Sequence, residues 1–413
     1  MKSSAITAVG IDVSKNKSMV AVRRPGGEIV MHPFEVCHTS DDLNWLASTL
    51  KKLGGDIRVV MEHTGNYWRP LALTLKKAGF FVSVVNAMLI HDFSDNSIRK
   101  LKTDRADSLK IANYALTFWN ELPPFNDEEE TRLLLKTQSR MYERITTTAT
   151  ALKNGLIALS DQTFAGVNLI FDDATKSTEG HFKWVDFFMH YWHRDCVCKF
   201  TFEAFMESYR SWCKKKKYRF RSEIAQKVYE SAKKSVSTLP KCESTKILIT
   251  QACKSLNAIC EAKQACQCEM QRLASLLPEY DIVMSMEGAG PVTGPILMAE
   301  IDDVRRFKNK KALVAFAGVD APPFQSGTFE SKSRHVSKRG SPHLRRTLFT
   351  VSGIILQLSH RENQVFCFMD KKRSKGKHFY VYMIAGAAKF LRIYYATVTH
   401  YLRTIETPGL ANY

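Results

Sequence analysis

Several things are scarce in this chain of 413 residues. No stretch is long and apolar enough to span a bilayer, so a membrane-embedded protein is not expected. Met1-Lys2-Ser3-Ser4 leads straight into a strand pattern, not into the apolar core of a signal peptide. The ten cysteines form no disulfide-like pattern. Cys196-Val197-Cys198 and Cys266-Gln267-Cys268 lack the CxxC spacing and the paired His or Cys of a structural zinc site. Free thiols suit a reducing cytoplasm. Acid is in short supply too: 41 Asp and Glu stand against 60 Lys and Arg, for a net charge of +19. An excess of that size favours a polyanionic partner, through phosphate neutralisation and counterion release.

What is present is enough for folded domains. Hydrophobic residues make up 45% of the chain, and its length suits two or three domains. Ile6 to Ile11, Ser18 to Arg23 and Glu28 to Phe34 read as strands, separated by turn signals at Asn16-Lys17 and Pro25-Gly26-Gly27. Thr39-Ser40-Asp41-Asp42 caps a helix with Leu43, Leu46 and Leu50 on one face. A strand over 56–61, a helix over about 67–77, a strand over 80–85 and a helix from about Asp104 to Trp119 follow. Three antiparallel strands followed by alternating helix and strand is the order of an RNase H-like α/β fold. Pro123-Pro124 closes this domain, giving boundaries at 1–122, 123–279 and 280–413.

The central part reads as two long helices, over 127–160 and 244–277. In the first, Leu134, Met141, Ile145, Leu152, Leu156 and Leu159 form a roughly heptad stripe. In the second, Ile249, Leu256, Ile259, Lys263, Cys266, Met270 and Leu273 form a coiled-coil seam with one polar interruption. Such a seam serves either as a dimerisation arm, the slightly favoured reading, or as an antiparallel pair within one chain. Between them, 161–243 is aromatic, basic and poorly periodic. Its run Lys214-Lys215-Lys216-Lys217-Tyr218-Arg219-Phe220-Arg221 mixes cations with rings, which suits phosphate contact and base stacking, and suits a solvated helix end equally well. Beyond Pro278, Glu287-Gly288-Ala289-Gly290-Pro291 is either a plain turn or a glycine hairpin whose amides meet a phosphate at a helix start. A basic loop over 371–377 and a helix over 379–392 complete the chain.

Two blocks carry chemistry. In the first, Asp12 ends a buried strand within Val9-Gly10-Ile11-Asp12-Val13-Ser14-Lys15, and Glu62 ends Val59-Val60-Met61-Glu62. An acid at such a place is costly unless solvated, paired or metal-bound. Asp104 and Asp107, three apart, share one helix face. Gathered on a sheet, four carboxylates can bind one or two Mg²⁺ ions, which polarise a phosphate. Singly, each has a plainer reading, Asp104 as a helix N-cap and Asp12 as the start of a turn. In the second block, Ser326 lies in Gln325-Ser326-Gly327 among Lys332, Arg334, Lys338 and Arg339. A serine beside cations and a glycine can attack phosphorus. Its plainer reading is a turn hydroxyl, and Ser331, Ser333 and Ser337 rival it on chemistry alone.

These residues together resemble the DEDD transposases of the IS110 insertion-sequence group, which includes the Piv-type DNA invertases. The resemblance rests on Gly10-Ile11-Asp12-Val13-Ser14-Lys15, Glu62-His63-Thr64-Gly65-Asn66-Tyr67 and Lys102-Thr103-Asp104-Arg105-Ala106-Asp107 in the first 120 residues. Over 280–355 it rests on Gly288-Ala289-Gly290-Pro291, Arg306-Phe307, Phe316-Ala317-Gly318-Val319, Gln325-Ser326-Gly327, Ser337-Lys338-Arg339-Gly340-Ser341 and Leu344-Arg345-Arg346. It implies a RuvC-like N-terminal domain, a central coiled coil and a small, mainly helical C-terminal transposase domain. It implies DNA recombination guided by a structured noncoding RNA, with Asp12, Glu62, Asp104 and Asp107 holding Mg²⁺ and Ser326 forming a transient phosphoserine link to donor and target DNA. Lys102, Arg105, Lys332, Arg334, Lys338, Arg339, Arg345 and Arg346 would contact nucleic acid. Dimers pairing into tetramers, in a bacterial cytoplasm near the nucleoid, are implied as well. Glu287 departs from the family's usual small residue or proline, and Asn86-Ala87 replaces Asn-Pro. Two alternatives stay open: a RuvC-like nuclease that uses water, and a nucleic-acid-binding protein without catalysis.

Overall fold

A computed structural model describes residues 6–63, 65–94, 103–125, 129–171, 177, 179–322, 325–326, 329–330, 335–358 and 362–406. The chain divides into two compact units, Met1–Glu128 and Glu129–Tyr413.

The first unit is built on β1 (Ile6–Val13), β2 (Lys17–Arg23), β3 (Ile29–Cys37), β4 (Asp56–Glu62) and β5 (Phe81–Val85), in the order β3-β2-β1-β4-β5. β2 is antiparallel to both β1 and β3, while β4 runs parallel to β1 and β5 parallel to β4. The turn at Asn16, with φ of 67°, is short enough for a hairpin. The parallel neighbours need crossovers, supplied by α1 (Ser40–Lys51) and α2 (Trp68–Lys77). That order and those directions are the RNase H-like fold. α3 (Ala87–Ser94) and α4 (Asp104–Thr117) follow.

Strand alternation sorts the side chains to two faces. Val9, Ile11 and Val13 join Val59 and Met61 in a core with Leu46 and Leu50 of α1 and Leu71 and Leu75 of α2. Ala8 and Val60 point the other way, into a core with Ile111 and Ala115 of α4. Gly10 and Asp12 share the face of Ala8, and Glu62 that of Val60. At Gly10 the approach of α4 is extreme. A Cβ there would lie 2.3 Å from both the Ala112 amide nitrogen and the Ser108 carbonyl oxygen, which are backbone atoms that cannot swing aside.

The second unit is helical. α5 (Glu130–Ser160) and α11 (Glu243–Ser275) lie antiparallel, with the Cys266 thiol 3.5 Å from the Gln138 carbonyl oxygen. Between them come α6 (Val167–Ile170), α7 (Lys183–His190), α8 (Arg194–Cys198), α9 (Phe202–Lys215) and α10 (Ser222–Lys234). After them come α12 (Tyr280–Met284), α13 (Thr293–Ile301), α14 (Lys310–Phe316), the hairpin β6 (Gln325–Ser326) and β7 (Phe329–Glu330), α15 (Pro342–Leu358), α16 (Gln364–Arg373) and α17 (Phe379–Glu406). The long pair is a spine shared by two cores. At one end Leu135, Tyr142, Met270 and Leu273 enter the core of α12 to α17. At the other, Leu156, Ile249 and Leu256 enter the aromatic core of α6 to α10.

Several expectations change here. The heptad seam is occupied within the chain, so the intramolecular pair takes the place of the favoured dimerisation arm. Its register is one residue off the sequence stripe in the first half of α5. Leu135 and Tyr142 are buried, whereas Leu134 and Met141 are about half exposed (47% and 50%), because a straight helix drifts from a strict heptad. The polar interruption Lys263 lies over the Tyr142 ring, 5.4 Å from its centroid, where a cation–π contact offsets its burial. The rings of the 214–221 run turn inward. Tyr218 stacks on Trp212 at 5.5 Å and donates to Asp186 at 2.8 Å, and Phe220 packs on Tyr209. Those rings are not presented to bases, while Lys214 to Lys217 stay exposed. Lys371 to Arg373 form the last turn of α16, and α17 runs on to Glu406. Among the described residues no helix is long and apolar enough to cross a membrane.

Two outcomes follow for stability. Gly10→Ala should destabilise the first unit by about 3 kcal/mol, the upper range for overpacking, seen as a lower urea midpoint. Arg132 and Glu279 form a buried two-bond ion pair, 2.9 Å at its longer contact. Arg132→Ala leaves Glu279 buried without a counter-charge, so the second unit should lose about 3–5 kcal/mol in the same assay.

Candidate functional site

The close packing at Gly10 fixes the acid cluster. β1 and β4 run in register from Ile6↔Asp56 to Ile11↔Met61, so Asp12 and Glu62 stand side by side at the carboxyl ends of parallel neighbours. α4 enters over that edge with Asp104 and Asp107 in its first turn. Its N-cap is Thr103, whose hydroxyl accepts from the Ala106 amide at 3.2 Å. Asp104 is thereby released from the capping role that its position suggested. Asp12 sits inside β1, not in a turn. The amino end of α4 favours negative charge, and Lys110 pairs with Asp107 at 2.8 Å. Arg23 of β2 donates to Asn113 of α4 at 2.6 Å, which ties the helix to the sheet.

Asp12 feels this arrangement. Burial, then the charges of Glu62, Asp104 and Asp107, push its carboxyl up to about 6. Four carboxylates at one sheet edge, with hard oxygen donors only, fit a hard divalent cation, whose charge would favour the ionised form of Asp12. Asp12, Glu62, Asp104 and Asp107 would hold it.

Ser326 lies on β6, its backbone paired with Phe329. The stem below this hairpin is a backbone clasp. Ser337 N donates to Asp320 O at 2.9 Å, Lys338 N to Gly318 O at 3.2 Å and Ser341 N to Phe316 O at 2.7 Å. The Ser337 hydroxyl also bonds the Asp320 carboxylate. Gly340 is required there, since a Cβ would fall 2.0 Å from the Phe316 carbonyl oxygen. Ser341 caps α15 through the Leu344 amide and donates to the buried Glu300, which Arg140 grips from α5.

The expected cations separate by environment. Lys338, Arg339 and Arg105 are exposed. Arg346 is exposed but pairs with Glu143, which also bonds His343. Arg345 is half-buried and donates to Ala317 O at 3.1 Å, a contact internal to the fold. Lys102, Lys332 and Arg334 lie outside the described residues, as do Gly327, Ser331 and Ser333. The glycine turn at 288–290 keeps its amides for itself: Ala289 N bonds Met286 O, and Gly290 N bonds the Thr293 hydroxyl at 2.7 Å. Glu287 accepts from Asn363, the cap of α16, so its charge has a structural partner.

Sequence patterns do not single out the Asp320–Ser337 clasp or the Glu143–His343–Arg346 cluster. Their partners are 17 and about 200 positions apart, beyond any local pattern. Nor do they pick out the group of Glu179, His181 and Glu261, whose ligand atoms lie within 4.8 Å of one another. There His181 bonds Glu261 at 2.7 Å and stands 3.5 Å from Asp186, docking its loop on α11.

An RNase H-like sheet with four acids on one edge, joined in sequence to a helical unit presenting a serine hairpin, defines a metal-dependent class of proteins acting on nucleic-acid phosphates. Comparison with known proteins narrows this. A DEDD transposase profile of IS110 elements matches residues 9–165, and the profile "Transposase IS116/IS110/IS902 family" matches 280–365. The chain belongs to the IS110-type family of DEDD transposases, enzymes that cleave and transfer DNA. It is 19% identical over 369 residues to the insertion element IS110 uncharacterized 43.6 kDa protein of Streptomyces coelicolor, covering 89% of this chain and 88% of that one. It is 33% identical over 98 residues to the putative transposase y4rJ of Sinorhizobium fredii, a match that spans 24% of each chain. Thermus thermophilus RuvC, alone and in complex with Holliday junction substrate, aligns with 29% of this chain and 99% of its own, at 12% identity and TM-scores of 0.23 and 0.24. The fold assignment rests on the strand order above.

The raised Asp12 carboxyl makes a testable sign. Its folded value, about 6, lies above the ordinary 3.8, so ionising Asp12 opposes folding. Without divalent metal, stability should fall as pH rises from about 4 to about 6 and then level off. Asp12→Asn should lack that part of the fall. Added Mg²⁺ should raise the melting temperature of the wild type above about pH 7 and do little below about pH 4.

Proposed function

We propose that the protein is a site-specific DNA recombinase of a mobile element, cutting and rejoining strands through Ser326 with the help of its four acids. The observation that carries this reading is the convergence of Asp12, Glu62, Asp104 and Asp107 on one edge of an RNase H-like sheet, with the charges of the other three acting on Asp12. The domain roles follow: residues 1–122 hold the metal, 123–279 form the helical connection and 280–413 present the serine. Asp12, Glu62, Asp104 and Asp107 would hold a Mg²⁺ ion, or a pair, which would supply neutralisation and polarisation of the scissile phosphate.

The rest is the work of side chains. The Ser326 hydroxyl attacks phosphorus, a Ser–O–P bond forms and the P–O bond to one DNA oxygen breaks; the proton lost by the serine balances the one taken up by that oxygen, which leaves as a DNA hydroxyl. The phosphoserine ester keeps the energy of the original diester. Attack by a second DNA hydroxyl then restores the serine and joins new strands without ATP. Exposed Lys338 and Arg339, beside the hairpin stem, supply positive charge to hold the phosphate. The family resemblance supports a structured noncoding RNA as the guide, with pairing, not protein contacts, choosing the target. It also supports dimers that pair into tetramers, and action at the bacterial nucleoid.

The test uses purified full-length protein, Mg²⁺, labelled DNA carrying the element's junction and the element's own noncoding RNA, resolved on a denaturing gel. A protein–DNA adduct is expected from wild type and from none of Ser326→Ala, Asp12→Asn or Glu62→Gln. DNA cut equally well by Ser326→Ala, with no adduct, would replace this reading with a water-using nuclease. Full recombination by Asp12→Asn would remove the metal site from the mechanism.

A further inference from the structure

The second unit carries a groove that neither the four acids nor the serine hairpin accounts for. Lys310 and Lys311 open α14 on one side, and Lys389 and Arg392 stand one turn apart on α17 on the other. Ile393, Ala396 and Thr397 form the floor, and the cavity holds about 580 Å³. Among the described residues no carboxylate lines it. Residues 389, 392, 393, 396 and 397 follow three- and four-residue spacing, so a single face of α17 is committed to it.

The neighbouring cations set these four apart. Arg305 is held by Asp303 and Glu406. Arg306 donates to Ile301 O and lies against the Phe307 and Phe316 rings. None of Lys310, Lys311, Lys389 and Arg392 has an acidic partner among the described residues. Asn309 already caps α14, its side chain accepting from the Lys311 and Ala312 amides. Attraction for an anion therefore comes from four side-chain charges. Gathered along one open groove, they repel one another. A chain of phosphates relieves that repulsion and releases its own counterions. A sugar edge can rest on the floor of Ile393, Ala396 and Thr397.

We propose that this groove between α14 and α17 binds the phosphodiester backbone of a nucleic acid, as a contact surface additional to the segments around Ser326. The proposal rests on the nucleic-acid reading above. Its α14 side lies within the matched segment 280–365, whereas its α17 side lies beyond that segment, since α17 begins at Phe379.

Binding of full-length protein would be measured by fluorescence anisotropy with two probes, a random-sequence DNA duplex and a structured RNA hairpin, across a salt series. The variant combines Lys310→Gln, Lys311→Gln, Lys389→Gln and Arg392→Gln. A control removes equal charge elsewhere on the surface through Lys51→Gln, Lys52→Gln, Lys241→Gln and Lys254→Gln, all exposed. Unchanged circular dichroism and melting temperature establish folding; if the quadruple variant fails that check, Arg392→Gln and Lys389→Gln are read singly. The groove variant should weaken binding tenfold or more at about 0.15 M salt. It should also lower the slope of log K against log salt by about 0.7–0.9 for each phosphate the protein no longer neutralises. Weakening confined to the duplex identifies DNA as the occupant, weakening confined to the hairpin identifies RNA, and weakening with both identifies a general backbone surface. Unchanged affinity and slope for both probes, or an effect no greater than that of the control, overturns the proposal. The readout is equilibrium binding and not strand cleavage, which keeps this result separate from the fate of the serine chemistry. A wild-type protein that binds neither probe overturns the nucleic-acid reading itself, and the groove with it.

Discussion

The contact between the backbone of α4 and the bare Cα of Gly10 is the constraint on which the first unit depends. Because no side chain stands at Gly10, the helix lies directly on the central strand. Asp12 is two residues further along the same face of β1, and Asp104 and Asp107 occupy the turn of α4 just before Ser108. One steric fact therefore sets the distance from two aspartates to the sheet edge. The cost is electrostatic. Burial, and then the three other acids around it, push the Asp12 carboxyl up to about 6. A fold destabilised in this way would be restabilised by a bound cation.

The second unit has a comparable arrangement in its spine. α5 sends Arg132 to Glu279 and Arg140 to Glu300, and both acids are buried. Glu300 in turn takes the Ser341 hydroxyl at the start of α15. The clasp from Phe316 to Asp320 against Ser337 to Ser341 then closes the stem beneath the Ser326 hairpin. The role proposed for Ser326 asks for a serine held on a short, fixed element. Buried ion pairs on rigid helices, relayed through backbone bonds, do this with few residues in the hairpin itself. The same division of labour explains why basic residues of one motif serve different ends. Arg345 braces the stem through Ala317 O, while Lys338 and Arg339 face solvent.

Much of this was legible in the sequence. Period-two alternation in Ile6 to Val13 and Asp56 to Glu62, with turn signals between strands, specified the sheet and put Asp12 and Glu62 at strand ends. The three-residue spacing of Asp104 and Asp107 put them on one helix face. The long helices 130–160 and 243–275 were visible from their apolar repeats. What patterns do not encode is partner choice. The heptad seam was compatible with another copy of the chain or with itself, and only tertiary packing selects the latter. Leu134 and Leu135 are equally apolar, and which of them is buried depends on how α5 crosses its neighbours. The rings of Tyr218 and Phe220 looked available for bases, but an aromatic core with Asp186 as acceptor had the stronger claim on them.

By itself, then, the sequence determined the strands and flanking helices of the first unit, the two long helices of the second, the residue types able to hold a divalent cation and the serine block, since all of these follow from local periodicity and short spacing, whereas the helices over 161–243 did not show in it. Tertiary structure decided what sits beside what. It chose Thr103 over Asp104 as the cap of α4, seated α4 on Gly10, drew Asp320 to Ser337 and Glu143 to His343, and gathered Lys310, Lys311, Lys389 and Arg392 around one groove. Those outcomes turn on non-local sterics and on competition between charges for a limited number of partners, and neither is written in the spacing of residues along a chain.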